Sequence, residues 1–233
     1  LNTSFTNSTG MFHEDNYSTV YDIALLSRYL INNFPNYYHL FAETEFEWSG
    51  IKQNNRNPLL YKEMGADGLK TGHLSASGYG LAASAVQDGR RLISVTNGFS
   101  SSKKRSQGSA RLLTWGFREF TNINIGQVGE VFSEIEIPLA KKMAQVMPSQ
   151  NMKVTVSKAN KDKIIQNIKV LPNISAPLPA GSVVATLEVV LSDAEKVNFD
   201  LETVSDVQET GIIGRFFSFV INLITSLFSI IFS

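Results

Sequence analysis

Hydrophobic positions at helical spacing predict two helices in the first half of the chain. The first is indicated by apolar residues that recur every three or four positions: Val20, Ile23, Ala24, Leu26, Leu30 and Ile31. Thr19 and Asp22 have the spacing of a capping box at its start, and Pro35 disfavours helix at the residue before it. The second helix is predicted over residues 109–120. Residues 1–17 are rich in Asn, Ser, Thr and Gly, and predict a loop.

Strand-like runs lie between these helices. Residues 43–48 alternate loosely, and clearer strands are predicted over residues 69–73, 79–86 and 91–97. Asp88-Gly89 is a hairpin turn signal between the last two of these strands. Residues 53–58 predict a loop and residues 66–68 a turn. Residues 1–120 therefore read as an α+β unit with antiparallel strands flanked by helices.

The pattern changes near residues 121–124, where helical spacing fades and short alternating runs begin. Residues 153–157 and 197–202 alternate cleanly, and residues 183–191 have the β-branched richness of a buried strand. Between them lie the chain-turning residues Pro172, Pro177, Pro179 and Gly181. Several short strands with turn signals predict a small all-β sandwich or barrel.

The last segment, residues 211–233, carries a single charge, at Arg215. As a helix it would place its polar residues within a sector of roughly 100°: Arg215, Ser218, Asn222, Thr225, Ser226, Ser229 and Ser233. Residues 216–233 would be about 27 Å long, against a hydrocarbon core of about 30 Å. This pattern favours an amphipathic helix in the membrane interface. A membrane span and a helix in a protein core remain the alternatives, because the polar face lacks lysine.

Composition excludes several classes of chemistry. The 233 residues carry 21 Lys and Arg against 21 Asp and Glu, so the basic excess that marks nucleic-acid binders is missing. Without cysteine, disulfides, cysteine-ligated zinc, iron–sulfur clusters and cysteine nucleophiles are excluded. With 3 His, a histidine-rich metal site is not expected either, and no cofactor is predicted. The polar start at Leu1 has no signal-peptide pattern, so we expect a piece of a longer product, or a mature or truncated form.

The sharpest short motif is Lys70-Thr71-Gly72. By itself it is weak, since an exposed lysine at the start of a strand explains it equally well. It also matches the Lys-Thr-Gly element of penicillin-interacting serine enzymes. In that element the lysine charge faces the nucleophile and the substrate carboxylate, the threonine hydroxyl donates to the carboxylate, and the glycine leaves the strand edge open.

The surroundings of this motif resemble the D-alanyl-D-alanine carboxypeptidases, the low-molecular-mass penicillin-binding proteins. Residues 67–73 read DGLKTGH and residues 77–85 read SGYGLAASA. The resemblance extends to residues 51–57, 91–95 and 112–117, and to Tyr17-Ser18 with Asp22 and Ala24. It covers essentially the whole chain, including the β-domain and the terminal helix by which these enzymes sit on the membrane.

The resemblance implies three regions. Residues 1–121 would be the C-terminal half of a penicillin-binding, transpeptidase-like catalytic domain, an antiparallel sheet with helices. Residues 122–207 would form the all-β domain, and residues 208–233 the amphipathic membrane-anchoring helix. The implied location is the periplasmic or cell-surface face of the bacterial cytoplasmic membrane, with residues 211–233 on the membrane surface.

The implied function is a serine-type carboxypeptidase of peptidoglycan biosynthesis and cell shape. Such an enzyme removes the terminal D-alanine from stem pentapeptides through an acyl-enzyme, and β-lactams acylate the same serine. Its partners would be the D-Ala-D-Ala stem peptide, β-lactams and the membrane surface, with no nucleic acid. The alternative is a non-catalytic, membrane-anchored envelope scaffold or binding protein with the same fold.

Two motifs of the family, Ser-x-x-Lys and Ser-x-Asn, are not convincingly present. Residues 49–52 and 100–103 match Ser-x-x-Lys literally, but in the family the nucleophile precedes the other motifs and opens a buried helix. The three histidines, His13, His39 and His73, lack the context of a catalytic triad. We therefore expect the chain by itself to be inactive, because the acylating serine and its lysine are absent.

The resemblance assigns catalytic roles to Lys70, Thr71 and Gly72, and substrate-binding roles to Arg105 and His73. Arg105 aligns with an arginine that fixes the terminal carboxylate, and a guanidinium suits that planar partner. The alternative is a solvated charge, since Arg105 follows Lys103 and Lys104. For His73 the alternative is an ordinary strand histidine. Arg56 is a weaker candidate that we expect to be structural, and Thr9-Gly10 receives no role.

Overall fold

The computed structural model describes residues 1–192 and 195–211. The chain divides into two compact units, Leu1–Glu119 and a second that begins at Phe120. Over the described ranges, none of the helices is long and apolar enough to cross a membrane. The predicted anchoring helix at residues 208–233 lies almost entirely outside those ranges.

The first unit opens with a helix whose bounds confirm the capping and proline signals. Helix α1 spans Val20–Asn33, and the Thr19 hydroxyl accepts a hydrogen bond from the backbone N–H of Asp22 at 3.0 Å. Pro35 begins a separate short helix, α2 (Pro35–Tyr38), and a 3₁₀ turn follows at His39–Phe41. The helix therefore ends where proline geometry excludes its continuation.

Five strands follow, in two antiparallel sheets. Strands β1 (Glu45–Trp48) and β2 (Ile51–Asn54) form a hairpin. Strands β3 (Ala66–Leu74), β4 (Gly78–Gln87) and β5 (Arg90–Phe99) form a sheet in the order β3-β4-β5. At the predicted turn between β4 and β5, Asp88 and Gly89 have φ of 49° and 72°, the positive values of a type I′ turn.

Two expectations for this region were wrong. Residues 66–68, predicted as a turn, begin β3, because Ala66 pairs with Ala85 across the sheet. The predicted loop at residues 53–58 begins two residues too early, because Gln53 and Asn54 belong to β2 and pair with β1. In both places cross-strand pairing outweighs local turn propensity.

The helix that closes the first unit is longer than predicted. Helix α3 spans Ser102–Glu119, whereas the apolar spacing predicted a start at Ser109. Its first turns are charged and polar, so they carry no apolar period to detect. Further along, Leu113 packs with buried side chains of the sheet and of the loop before it: Leu59, Leu81, Ala83 and Ala85.

The second unit is rich in β-strands, as predicted. Its strands are β6 (Phe120–Gly126), β7 (Ser133–Ile135), β8 (Ala144–Pro148), β9 (Met152–Ser157), β10 (Ile165–Val170), β11 (Val183–Ser192) and β12 (Glu195–Thr203). One sheet has the order β10-β11-β12-β8-β7, and β6 pairs with β9 in a second. Val154, Leu187 and Leu201 lie in one core shared by the two sheets. The three strands predicted here are confirmed.

Candidate active site

The Lys-Thr-Gly motif lies on β3, which pairs only with β4 within the described ranges. Thr71 lies opposite Leu81, and directly opposed residues share a face of the sheet. Leu81 packs on the α3 side, so Thr71 and His73 lie on that face. Lys70 and Gly72 alternate onto the other face, which α1 covers. Predicted site residues therefore lie on both faces of β3, next to its free edge.

A cleft of about 630 Å³ opens between α1 and the sheet. Its lining includes Lys70, Thr71, Gly72, Ala82, Asn97 and the start of α1. Lys70 is exposed, and its Nζ donates to the backbone oxygen of Thr71 at 2.7 Å. A Cβ placed on Gly72 would meet no heavy atom within 4 Å. The edge beside Gly72 is therefore open enough for an extended peptide to lie along it.

An ion pair anchors the start of the motif strand. Arg91 on β5 binds both carboxylate oxygens of Asp67 on β3, at 2.7 Å and 2.8 Å. It also donates to the Ser84 hydroxyl on β4, so the group joins all three strands. The Tyr38 hydroxyl donates to Asp67 at 3.2 Å. Burial raises the pKa of Tyr38 to about 12, and the charge of Asp67 adds to this effect.

A buried amide fixes the next residue of the strand. Asn57 is 1% exposed, its Nδ2 donates to the Gly68 oxygen at 2.8 Å, and its Oδ1 accepts from the Leu59 N–H at 3.0 Å. A Cβ on Gly68 would lie 2.6 Å from the Tyr38 hydroxyl, so any larger residue there would force Tyr38 to move. Arg56, which precedes Asn57, is exposed. In this segment it is Asn57 that positions the motif strand.

On the α3 face, Arg105 is 7% exposed, whereas Lys103 and Lys104 are exposed. The alternative of a solvated charge is therefore wrong for Arg105. Its Nη2 donates to Ser102 Oγ at 3.2 Å, and within residues 1–192 and 195–211 its buried Nε has no hydrogen-bond partner. Burial lowers the pKa of this guanidinium. A buried cation with an unused donor suits an incoming anion.

His73 and Arg105 both lie against the ring of Tyr79. The ring centroids of His73 and Tyr79 are 3.9 Å apart, and the guanidinium carbon of Arg105 is 5.8 Å from the Tyr79 centroid. Sequence reasoning gave Tyr79 no role. The strand pairing could have identified it from the sequence. Because the loop after Leu74 is short, Tyr79 must lie directly opposite His73 in the hairpin.

Helix α3 approaches the sheet closely just after Arg105. A Cβ on Gly108 would lie 2.3 Å from Cζ of Phe99, and the hydroxyls of Ser109 and Thr96 are 2.8 Å apart. Gly108 therefore sets the distance between helix and sheet, and with it the depth of Arg105. This role also escaped sequence reasoning, because a glycine within a helix has no distinctive local signal.

Both literal Ser-x-x-Lys matches have structural explanations. Ser49 lies in the turn of the β1–β2 hairpin with a φ of 51°, and Lys52 pairs with Glu45 at 2.7 Å across that hairpin. The second match, residues 100–103, runs into α3, which begins at Ser102, and both Ser100 and Lys103 are exposed; the neighbouring Ser101 Oγ accepts the backbone N–H of Lys104 at 3.2 Å. The described ranges also hold no group of three or more His, Cys, Asp or Glu arranged to bind a metal.

Residues 1–101 match the family "D-alanyl-D-alanine carboxypeptidase", and residues 120–209 match "Penicillin-binding protein 5, C-terminal domain". The chain is 32% identical to the D-alanyl-D-alanine carboxypeptidase DacA of Haemophilus influenzae, over 98% of this chain and 59% of that protein. It is 33% identical to DacA of Escherichia coli K12, over 97% of this chain and 56% of that protein.

Among solved structures, penicillin binding protein 5 from Haemophilus influenzae superposes with a TM-score of 0.80 at 32% identity. The match covers 90% of this chain and 62% of that one. DacD from Francisella tularensis gives a TM-score of 0.69 at 30% identity, over 90% of this chain and 65% of that one. The chain thus spans somewhat more than half the length of the relatives that it matches. By sequence and by fold, it belongs to the D-alanyl-D-alanine carboxypeptidase family of low-molecular-mass penicillin-binding proteins.

Proposed function

We propose that this chain supplies the carboxylate-binding side of a serine-type D-Ala-D-Ala carboxypeptidase of peptidoglycan maturation. The observation that carries the proposal is Arg105, a buried guanidinium whose Nε is unpartnered within the described ranges. It lies on the sheet face of Thr71, against the ring of Tyr79, which pairs with His73 on the motif strand. A substrate that ends in a free carboxylate supplies the anion that such a group lacks.

Each predicted residue then has a defined task. The stem peptide lies along the free edge of β3, where Gly72 leaves room for its backbone. The Thr71 hydroxyl and the Arg105 guanidinium bind the terminal carboxylate, and His73 shapes the side of the site. Lys70 directs its charge toward the nucleophile, which stabilises negative charge as the acyl-enzyme forms. β-Lactams carry a carboxylate in a similar position and use the same contacts.

The serine that is acylated and its lysine are not assigned to any residue of this chain. We therefore expect the 233-residue chain by itself to be inactive. The proposal places the active protein at the periplasmic or cell-surface face of the cytoplasmic membrane, held there by residues 211–233. The amphipathic polar stripe of that segment supports this location.

A labelled-penicillin gel on membranes from the native organism tests the proposal, with mass spectrometry of any band that contains these peptides. We expect a labelled band larger than 25.8 kDa, which carries both this chain and the acylated serine. An unlabelled product of about this size would contradict the proposal. The non-catalytic envelope scaffold would then be the better description of the protein.

A further inference from the structure

Tyr79 contacts two residues that the proposed function places at the substrate. Its ring lies 3.9 Å from the ring of His73, at an interplanar angle of 34°, and 5.8 Å from the guanidinium carbon of Arg105. Tyr79 is itself half-buried, and it pairs with Phe99 on β5 as well as with His73 on β3. One aromatic side chain in the middle strand therefore supports both flanking groups.

The chemistry of this support affects how Arg105 can bind an anion. A carboxylate neighbour would hold the guanidinium by accepting its N–H groups and would neutralise its charge. An aromatic face attracts the cation through the ring quadrupole and accepts no conventional hydrogen bond. In the described part of the chain, Nη2 of Arg105 donates to Ser102, while its buried Nε lacks a partner. The ring therefore holds the cation and leaves donors available.

We infer that Tyr79 is the positioning residue for recognition of a free terminal carboxylate. Its aromatic face, rather than its hydroxyl, holds Arg105 with donors unused, and the same ring fixes the orientation of His73. This inference rests on the proposed function and deepens it. It identifies the residue through which the site distinguishes a peptide that ends in a carboxylate from one whose C-terminus is blocked.

The test uses the intact protein that carries this chain and compares Tyr79→Leu with the matched control Tyr79→Phe. Two peptides ending in D-alanyl-D-alanine are compared, one with a free carboxylate and one with a terminal amide. Their binding is measured at equilibrium, and KM and kcat are measured for the same pair. Thermal melting of each variant reports on folding.

We expect Tyr79→Leu to weaken binding of the free acid and to raise its KM, by roughly 3- to 30-fold for the loss of a desolvated cation–π contact. Binding of the amide and kcat should change little, and Tyr79→Phe should behave like the native protein. In an Arg105→Gln background, Tyr79→Leu should have little further effect, because the residue that it positions is gone.

Three outcomes would overturn the inference: equal loss of acid and amide binding, a Phe variant as impaired as Leu, or independent losses in the double variant. If Tyr79→Leu does not fold, phenylalanine and pentafluorophenylalanine at position 79 keep the shape and change only the ring quadrupole. Equal binding by those two variants would also overturn it. If selective acid binding depends on the ring but no D-alanine is released and no penicillin is bound covalently, the proposed function fails and this inference stands.

Discussion

Asp67 and Arg91 form a bidentate ion pair that joins β3 and β5, the two outer strands of the sheet β3-β4-β5, with oxygen–nitrogen distances of 2.7 Å and 2.8 Å. Asp67 lies on the strand that carries Lys70, and Arg91 is the second residue of β5, the strand on the far side of β4. The side chains are 28% and 31% exposed. The planar fork of arginine fits both carboxylate oxygens, and lysine cannot reproduce that geometry.

The first prediction follows from that geometry. Arg91→Lys should lower the free energy of unfolding by about 1 kcal/mol, a modest value because solvent partly screens the pair. The matched control is Arg118→Lys, in an exposed ion pair with Glu119, which should change stability by less than about 0.5 kcal/mol. Denaturant unfolding measures both variants. Equal effects at the two positions would contradict the special role of the Asp67 pair.

Gly72 and Gly80 face each other on neighbouring strands but differ in the space around them. A Cβ at Gly72 meets nothing within 4 Å, whereas one at Gly80 would lie 2.7 Å from Oδ1 of Asn97 and 3.2 Å from the Thr96 oxygen. We expect Gly72→Val to keep stability within about 0.5 kcal/mol. Penicillin labelling of the intact protein should fall about tenfold or more, equivalent to 1.4 kcal/mol, because the strand edge is blocked.

Gly80→Ala is the control for this pair of glycines. It should lower the unfolding midpoint, since Asn97 or the β5 backbone must move. Thermal melting and a labelled-penicillin gel give the two readouts. A Gly72→Val protein that still labels at the native rate would show that the ligand does not pass this edge.

Adding even a single methyl group at Gly108 should lower the stability of the protein. The methyl group of Gly108→Ala would lie 2.3 Å from the Phe99 ring, so either the ring or α3 must shift. We expect a loss of about 1–3 kcal/mol in stability, together with weaker penicillin labelling because Arg105 moves with the helix. Phe99→Leu, combined with Gly108→Ala, should restore part of the stability. If the double variant is less stable than either single one, the steric explanation is wrong.

Arg105 should show opposite effects on stability and on function. Its buried guanidinium has an unpartnered Nε within the described ranges, and leaving a buried donor unsatisfied costs about 1–3 kcal/mol. Arg105→Met keeps an apolar side chain of similar length, so the unfolding midpoint should stay constant or rise. Penicillin labelling of the intact protein should fall. A marked drop in the melting temperature of Arg105→Met would instead indicate that Arg105 stabilises the fold.

The second unit offers a pH-dependent prediction. Glu188 on β11 accepts a hydrogen bond from Lys169 at 2.9 Å and lies 3.6 Å from Lys196. The bond from Lys169 lowers the pKa of Glu188 below its ordinary value. Its contribution to stability is therefore complete above the ordinary glutamate pKa of about 4.3, and is lost as pH falls toward the folded-state pKa.

Replacing the Glu188 carboxylate should make the unfolding midpoint less sensitive to low pH. Glu188→Gln should show a smaller fall in unfolding midpoint than the native protein below about pH 4.3, and high salt should narrow the difference by screening the exposed lysines. Melting curves across pH at two salt concentrations check both points. Parallel pH profiles for the two proteins would contradict the assignment.

Much of the architecture could be read from the sequence, because it depends on interactions between near neighbours. The cap at Thr19, the stop at Pro35 and the turn at Asp88-Gly89 are local effects, and each lies where it was predicted. The alternating strands of the second unit were also found, since one face of each is buried. The start of α3 was missed because its first turns are polar, and residues 66–68 were misread because their pairing partner lies on another strand.

The sequence alone determined helix α1, the strands β3, β4 and β5, three strands of the second unit, the position of Lys70-Thr71-Gly72 and the family resemblance. Tertiary structure decided that Arg105 is buried while its lysine neighbours are not, and that Tyr79 supports both Arg105 and His73. It also decided that Gly108 sets the height of α3 above Phe99. Periodicity and motifs report on residues a few positions apart. Burial and ring contacts depend on which strands and helices pack together, and that information appears only when the chain is folded.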